Sequence, residues 1–456
     1  MDNINDLIHK TITIDDKVIH IFTIETITDS TTINDFILKN INRLKGHNIM
    51  NYLFNYLPCI NILRIKKEDM NYYLINGFTI INIENDYMAI ETINMPTRNV
   101  SENSYEKGVT GPRDSFVEHF NTNVGLIRKR IKSPHLKLEE FIIGKYTNTK
   151  VGIMYIDGIY KKETRDKIIN KIKKINIDGI IDSGYLKKYL STSNSLFPTI
   201  KETERPDLSS QSLLEGKIVI ITDNSPSALI LPSFFIDFFH MSDDYYQKSF
   251  NVSFIRIIRL LAFFIAIFLP SYYIAITTFN VDFIPINLLI NFISQRSAVP
   301  FPAFIEILIM ILSFEILQES DIRISSGGTA VSILGGLVLG DAAVSAGIIS
   351  PIMIIVVAIS VISGLLFQSI EIVNAIRYWR FILIILASIF GLYGIFLGTI
   401  ILINNISDTN SLDKDYLYPF SPLNLNEQKD GFINTNQQVK KRNPILSDNE
   451  IRGIGK

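Results

Sequence analysis

The sequence predicts a two-lobed α/β soluble domain followed by a polytopic α-helical membrane domain, and three observations carry that expectation. Residues 1 to about 250 are rich in Asn, Ile, Lys, Asp and Tyr and hold no uncharged apolar run long enough to cross a bilayer. Within them, extended and helical patterns alternate, which marks a mixed fold, α/β or α+β. From about 255 to 405 the composition turns to Ile, Leu, Phe, Val and Gly with few charges. The expected divisions are therefore two cytosolic lobes, 1–100 and 101–250, a membrane domain over 251–405, and a polar tail over 406–456.

In the first half, "MDNINDLIHKTITI" lacks the positive start and apolar core of a signal peptide, which predicts a cytosolic location. The runs "YYLINGFTIINIE" (72–84) and "KVGIMYIDGIY" (150–160) read as strands, and "KETRDKIINKIKKI" (162–175) reads as a helix. The polar stretch 95–116, punctuated by Pro and Gly, joins the lobes. "LIRKRIK" (126–132) reads as a solvated helix face; its functional alternative is a contact with acidic headgroups or a neighbouring subunit. "GKIVIITDNSPSALILP" (216–232) places two β-rich runs around Asp223-Asn224-Ser225-Pro226, a turn cluster that predicts a hairpin.

Several function classes are disfavoured. With 44 basic and 45 acidic residues the chain has no phosphate-tracking surface, so no nucleic-acid partner is expected. The single cysteine, Cys59, cannot form an intramolecular disulfide and reads as a small core residue. Six histidines are scattered without zinc-ligand spacing, so no metal site is read. "GVTGPR" (108–113) lacks the Gly-Lys-Ser/Thr ending of a phosphate loop, and no Gly-x-Ser-x-Gly elbow occurs. The expectation is no enzyme and no cofactor.

Five apolar segments follow, at roughly 257–279, 299–318, 328–349, 351–370 and 381–403. Arg256 and Arg259 before the first, and "VKKRNP" (439–444) in the tail, favour the cytosolic side for both ends. Five crossings contradict that, so either 282–295 also crosses or one glycine-rich segment is re-entrant. Pro270 should kink the first helix and free a carbonyl that needs a donor from a neighbouring helix. Gly336, Gly340, Ala343 and Gly347 fall on one helical face suited to close packing. Arg377, Trp379 and Arg380, beside Tyr378, read as interfacial anchors, as do Arg256 and Arg259.

Ionisable groups inside these segments need a reason. A central Asp costs about 2.5–3.5 kcal/mol on insertion scales. Asp341, with Ser345 one turn later, and Glu306 are therefore candidates for an ion path. The bland alternative is a hydrogen bond across helices. Glu315, nine residues after Glu306, points to the opposite face and sits near its segment's end.

Long ordered blocks resemble a known family. They include "GPRDSFVEHFNTNVGLIRKRIKSPHLKLEEFIIGKYTNTKVGIMYIDGI" (111–159), "IDGIIDSGYL", "TERPD", "LLEGKIVIITDNSP" and "DDYY" in the first half. In the second they include "SFIRIIRLLAFFIAIFLPSYYIAITTF", "VPFPAFIEILIMILSFEILQE" and "GLVLGDAAVSAGIISP". Over about residues 70–405 the chain resembles the A subunits of the GerA family of bacterial spore germinant receptors. The resemblance implies a multi-pass protein of the spore inner membrane with a two-lobed cytosolic domain. It also implies a transporter-like B subunit that binds the nutrient, a lipoprotein C subunit, homo-oligomers in membrane lipid, and ion release when nutrient is sensed. The competing expectations are a non-conducting scaffold or accessory paralogue that clusters receptor subunits, and, with less support, a secondary transporter.

Overall fold

A computed structural model of the chain describes residues 6–14, 17–41, 53–55, 61–93, 106, 110–191, 195–323, 328–423, 431 and 445–447. Cys59, the "VKKRNP" run and most of the stretch joining the lobes lie outside the described residues.

The first lobe is a five-stranded antiparallel sheet. Its strands are β1 (Leu7–Ile14), β2 (Lys17–Ile24), β3 (Ile62–Ile65), β4 (Phe78–Ile83) and β5 (Asp86–Glu91), in the order β1-β2-β4-β5-β3. Tyr72–Ile75, expected as strand, instead belongs to helix α1 (Met70–Ile75), whose Met70 and Leu74 face the sheet. The chain turns at Gly77 with φ +86° before β4 begins.

The second lobe has helices on both faces of its sheet. Its elements are α2 (Phe120–Arg130), β6 (Leu136–Ile143), β7 (Thr149–Ile156), α3 (Lys162–Lys173), α4 (Ser183–Leu190), β8 (Lys201–Thr203), α5 (Pro206–Glu215), β9 (Ile218–Thr222) and β10 (Ala228–Leu231). The sheet order is β6-β7-β9-β10-β8, every pair antiparallel. The period of two decides which core each side chain joins. Val151, Ile153, Ile218 and Ile220 pack on α3 and α4, whereas Met154, Val219 and Ile221 pack on α2 and α5. Burial on both faces is why "IVIIT" reads as a continuous apolar run. The expected hairpin at Asp223–Pro226 is β9–β10.

The basic run in α2 corrects its reading as a solvated face. Arg128 is 2 % exposed and donates from Nε and Nη2 to Asp6 of the first lobe, at 2.7 and 2.5 Å. Thr26 donates to the same carboxylate at 2.9 Å. Arg130 pairs with Asp114. The run therefore ties the lobes together.

Among the described residues seven α-helices follow: α6 (Ser249–Thr278), α7 (Ile286–Arg296), α8 (Ala303–Arg323), α9 (Gly328–Ser345), α10 (Pro351–Gly364), α11 (Ile370–Phe390) and α12 (Leu392–Ser407). Among the described residues, α6 and α11 are long and apolar enough to cross a membrane, at 30 and 21 residues. α10 and α12 are apolar but shorter.

The last expected segment, 381–403, is not one helix. Gly391, at φ +62° and ψ −138°, separates α11 from α12. A Cβ on Gly394 would collide with the carbonyl oxygen of Leu386, and one on Gly398 with Leu383. Contacts that recede from Gly391 on both sides define an antiparallel hairpin. α6, α9 and α11 therefore run away from the lobes, and α8, α10 and α12 run back. Phe279 and Gly391 meet at the far end, while Phe367 and Asn405 lie against Phe239 and Ser195 at the lobe end. The bundle thus holds six helices of alternating direction among the described residues, two of them long and apolar enough to cross a membrane. Residues 286–296 do not cross: eleven residues span only about 16 Å.

The described residues of the tail fold back on the second lobe. Ser447 bridges to Tyr160, and Leu446 packs with Phe234, Ile236 and Tyr418.

Candidate functional site

The polar groups of the helical half gather at three levels along α6. At the lobe end, Arg256 Nε lies 3.0 Å from Asp244, and Arg259 reaches both Asp244 oxygens at 2.8 and 3.0 Å. Arg256 also donates to the Gly431 carbonyl, and Arg259 to that of Phe239. Both arginines are buried, at 0 % and 6 % exposure. This corrects their reading as headgroup anchors: their charge is spent on joining α6 to the soluble lobe. Beside them, His240 Nε2 donates to the Gly431 carbonyl at 3.1 Å. Burial, and secondarily the Arg256 cation, hold its pKa well below the usual imidazole value.

The middle level is built on Pro270. Proline has no amide hydrogen, so the Ala266 carbonyl four residues earlier has no helical donor. It accepts instead from Ser360 Oγ of α10 and Arg380 Nε of α11, each at 2.9 Å. The donor expected from a neighbouring helix is thus two donors, which fasten α6 to α10 and α11. Arg380 further approaches Glu315 of α8 at 3.6 Å, and Arg377 meets Glu315 at 2.6 Å and Gln318 at 2.7 Å. Gly364 leaves room for the Arg380 guanidinium, which a Cβ there would approach to 3.4 Å. Arg380 and Trp379 are each 3 % exposed. Trp379 and Arg380 are therefore corrected from interfacial anchors to buried residues, with Arg377 half-buried on Glu315 and Tyr378 alone of the cluster exposed. Glu315 sits opposite Glu306, as their spacing required.

At the far level, Glu306 is fully buried. Its Oε2 accepts from the backbone N–H of Ser350 at 3.1 Å and from Ser350 Oγ at 3.0 Å, and Arg296 lies 3.4 Å from Oε1. Ser350 is the N-cap of α10, so the carboxylate sits at the positive end of that helix's dipole. This arrangement accounts for a buried acid without invoking transport.

Asp341 and Ser345 stand apart from all three levels. Both are exposed on the outward side of α9, in line with Val338, which is 63 % exposed. Asp341 makes no hydrogen bond or ion pair among the described residues. It lies one turn before the end of α9, nearer the far end than the mid-depth position expected for it. On the packing face, Gly336 rests against Phe314 and Leu317, Gly340 against Ile354, and Ala343 joins the same core. Gly347 does not belong to that face, because α9 ends at Ser345. With φ +65° it closes the helix: its N–H bonds to Val344 and that of Ile348 to Ala343, the paired pattern of a glycine C-cap.

Besides the Asp244 contacts, a further link between lobe and helices has no counterpart in the sequence reading. Lys187 of α4 bridges Glu202 of β8 at 2.8 Å and Glu371 in the first turn of α11 at 2.6 Å. Its distant partners give no local signal. Among the described residues, no group of three or more His, Cys, Asp or Glu side chains could hold a metal ion.

Comparison with known proteins gives one consistent picture. The profile of the family described as Bacillus/Clostridium GerA spore germination protein matches residues 1–446. The chain is 38 % identical over 359 residues to Spore germination protein KA of Bacillus subtilis (strain 168), covering 78 % of this chain and 66 % of that protein. It is 34 % identical over 414 residues to Spore germination protein GerQA of Bacillus cereus, covering 90 % and 83 %. The solved N-terminal domain of the A subunit of the Bacillus megaterium spore germinant receptor GerK3 aligns at 27 % identity and a TM-score of 0.38, covering 51 % of this chain and 90 % of that one.

Proposed function

The chain belongs to the GerA family of spore germination proteins, and from that premise we propose that it is the A subunit of a nutrient receptor in the spore inner membrane. In this reading the six passes cross the membrane, the lobes and the tail lie on the spore-core side, and B and C subunits complete the receptor. Copies of this subunit surround a nutrient-gated ion path. The observation that carries the ion path is the placement of Asp341 and Ser345. A carboxylate on the outward side of a bundle, one turn from its end, is costly against lipid and favourable where it meets water between copies. Asp341 then lines the mouth of the path remote from the lobes. Gating follows if nutrient-bound partners favour one packing of the helices over another.

The test is nutrient-triggered monovalent cation release from spores whose only receptor contains this subunit, at matched protein level. Wild type, Asp341→Asn and Asp341→Lys should release ions progressively more slowly, by about tenfold across the series, the lower end of charge focusing in clefts. Equal release by all three removes Asp341 from the path and favours a scaffold that relays the signal without conducting. The position of Glu306 favours that second reading for its own carboxylate, which is committed to capping α10.

A further inference from the structure

α7 has no role in the reading above, yet its surface is sorted into three arcs. At about 100° per residue, Leu289, Phe292 and Arg296 share one arc, Ile286, Ile290 and Ile293 the next, and Asn287, Asn291, Ser294 and Gln295 a third, with Leu288, 50 % exposed, between the third and the first. The first arc meets the bundle. Phe292 lies tilted against Tyr273 of α6 with ring centroids 6.3 Å apart, and Arg296 pairs with Glu306 of α8. The second is bare: Ile286, Ile290 and Ile293 are 67 %, 60 % and 61 % exposed, and Phe283 just ahead of them is 69 % exposed. The third is polar and also exposed.

We propose that α7 is a membrane-surface helix: it lies in the lipid boundary at the end of the bundle remote from the lobes, with Ile286, Ile290, Ile293 and Phe283 in the acyl region and the asparagine arc in water. This rests on the reading that the bundle crosses a membrane.

Three features select lipid as the occupant. α7 begins eight residues after the end of α6, the longer of the two helices able to span a bilayer, past a short turn at Val281–Phe283, so it starts near the boundary depth. It is too short to cross. Its bare apolar arc adjoins a polar arc free of charged residues, the division that an apolar-to-water boundary imposes on a helix lying in its plane. The Arg296–Glu306 pair holds the rotation of the helix, because turning the isoleucines inward would leave the Glu306 carboxylate buried without that cation, with the Ser350 donors alone.

The experiment is site-directed spin labelling of the full chain in lipid nanodiscs, in a Cys59→Ser background, which removes the only cysteine. Labels replace Ile290, Ile293, Asn291 and Ser294 one at a time, with a control at Phe264, exposed on the outer side of α6. Collisional relaxation is read with oxygen, which concentrates in lipid, and with a nickel chelate, which stays in water. The oxygen-to-nickel ratio should be several-fold higher at 290 and 293 than at 291 and 294, and highest at 264. If 264 reads as lipid while all four α7 labels read as water, the inference fails and the membrane reading stands. If 264 also reads as water, both fail. Strong spin–spin broadening at 290 or 293, lost on dilution with unlabelled protein, would show a second copy on this arc and overturn the lipid assignment.

Discussion

Pro270 and Ser360 should be energetically coupled through one carbonyl. Ser360→Ala deletes a hydroxyl donor to the Ala266 oxygen, and a neutral hydrogen bond of this kind is worth about 1 kcal/mol net. Arg380 Nε still donates, so the carbonyl is not orphaned and the loss stays near that figure. Pro270→Ala restores an amide hydrogen that can bond the same oxygen along the helix. In that background Ser360→Ala should cost close to nothing. The double-mutant cycle therefore predicts about 1 kcal/mol of coupling, above the roughly 0.3–0.5 kcal/mol within which independent sites add. Adding Arg380→Leu to Ser360→Ala in the Pro270 background strands the carbonyl and should cost a further 1–3 kcal/mol or so. The assay is unfolding of the detergent-solubilised chain followed by the fluorescence of Trp379, the single tryptophan and the neighbour of Arg380. Coupling below about 0.5 kcal/mol would refute the idea that these donors replace the bond proline removes.

Three further outcomes follow from the geometry. Arg128→Ala leaves Asp6 buried with Thr26 as a remaining donor, and should lower stability by about 3 kcal/mol, the low end for breaking a buried pair; Asp6→Leu with Arg128→Met should recover most of it in urea titrations. Gly394→Val sets a side chain against the Leu386 backbone and should abolish the folded form on size-exclusion chromatography, whereas Gly398→Ala, facing only the movable tips of Leu383 and Leu386, should survive with reduced stability. His240 is held neutral in the fold, so its contribution is complete above the unfolded pKa of about 6.5 and is lost as pH falls below it, by up to about 1.4 kcal/mol per pH unit; His240→Gln should flatten that part of a melting-temperature profile against pH.

The sequence disclosed what depends on local period. The all-buried strand β9, the β9–β10 hairpin, helix α3 and the apolar helices were legible because two- and 3.6-residue patterns are written locally. The role of Pro270 was legible too, since a missing donor is a property of one residue. What escaped was pairing at long range. Nothing beside Arg128 or Arg380 discloses that an acid far along the chain awaits it, and for Arg256 and Arg259 the acid, Asp244, is only 12 and 15 residues away but lies beyond the helix start, outside any helical period. Gly391 escaped because an unbroken apolar run conceals a turn that depends on one left-handed residue and two small ones. Asp341 stands out in the sequence by its cost, but which side of α9 it faces depends on neighbours supplied by α8 and α10.

The hairpin at Gly391 bears on how the chain is made. α11 carries two arginines, and on insertion scales each would cost about 2.5–3.5 kcal/mol if the helix entered lipid alone. Every partner they use on other helices is synthesised first: Ala266, Glu315 and Gln318 have left the ribosome before Arg377 and Arg380 emerge. On the proposed membrane reading, α11 enters a bundle that already holds its counter-charges, and α12, joined by a single residue, follows as the second half of one inserting unit. In such an order of assembly, loss of Glu315 would be felt during biosynthesis, as an α11 that the insertion machinery fails to retain, before it is felt in the finished protein.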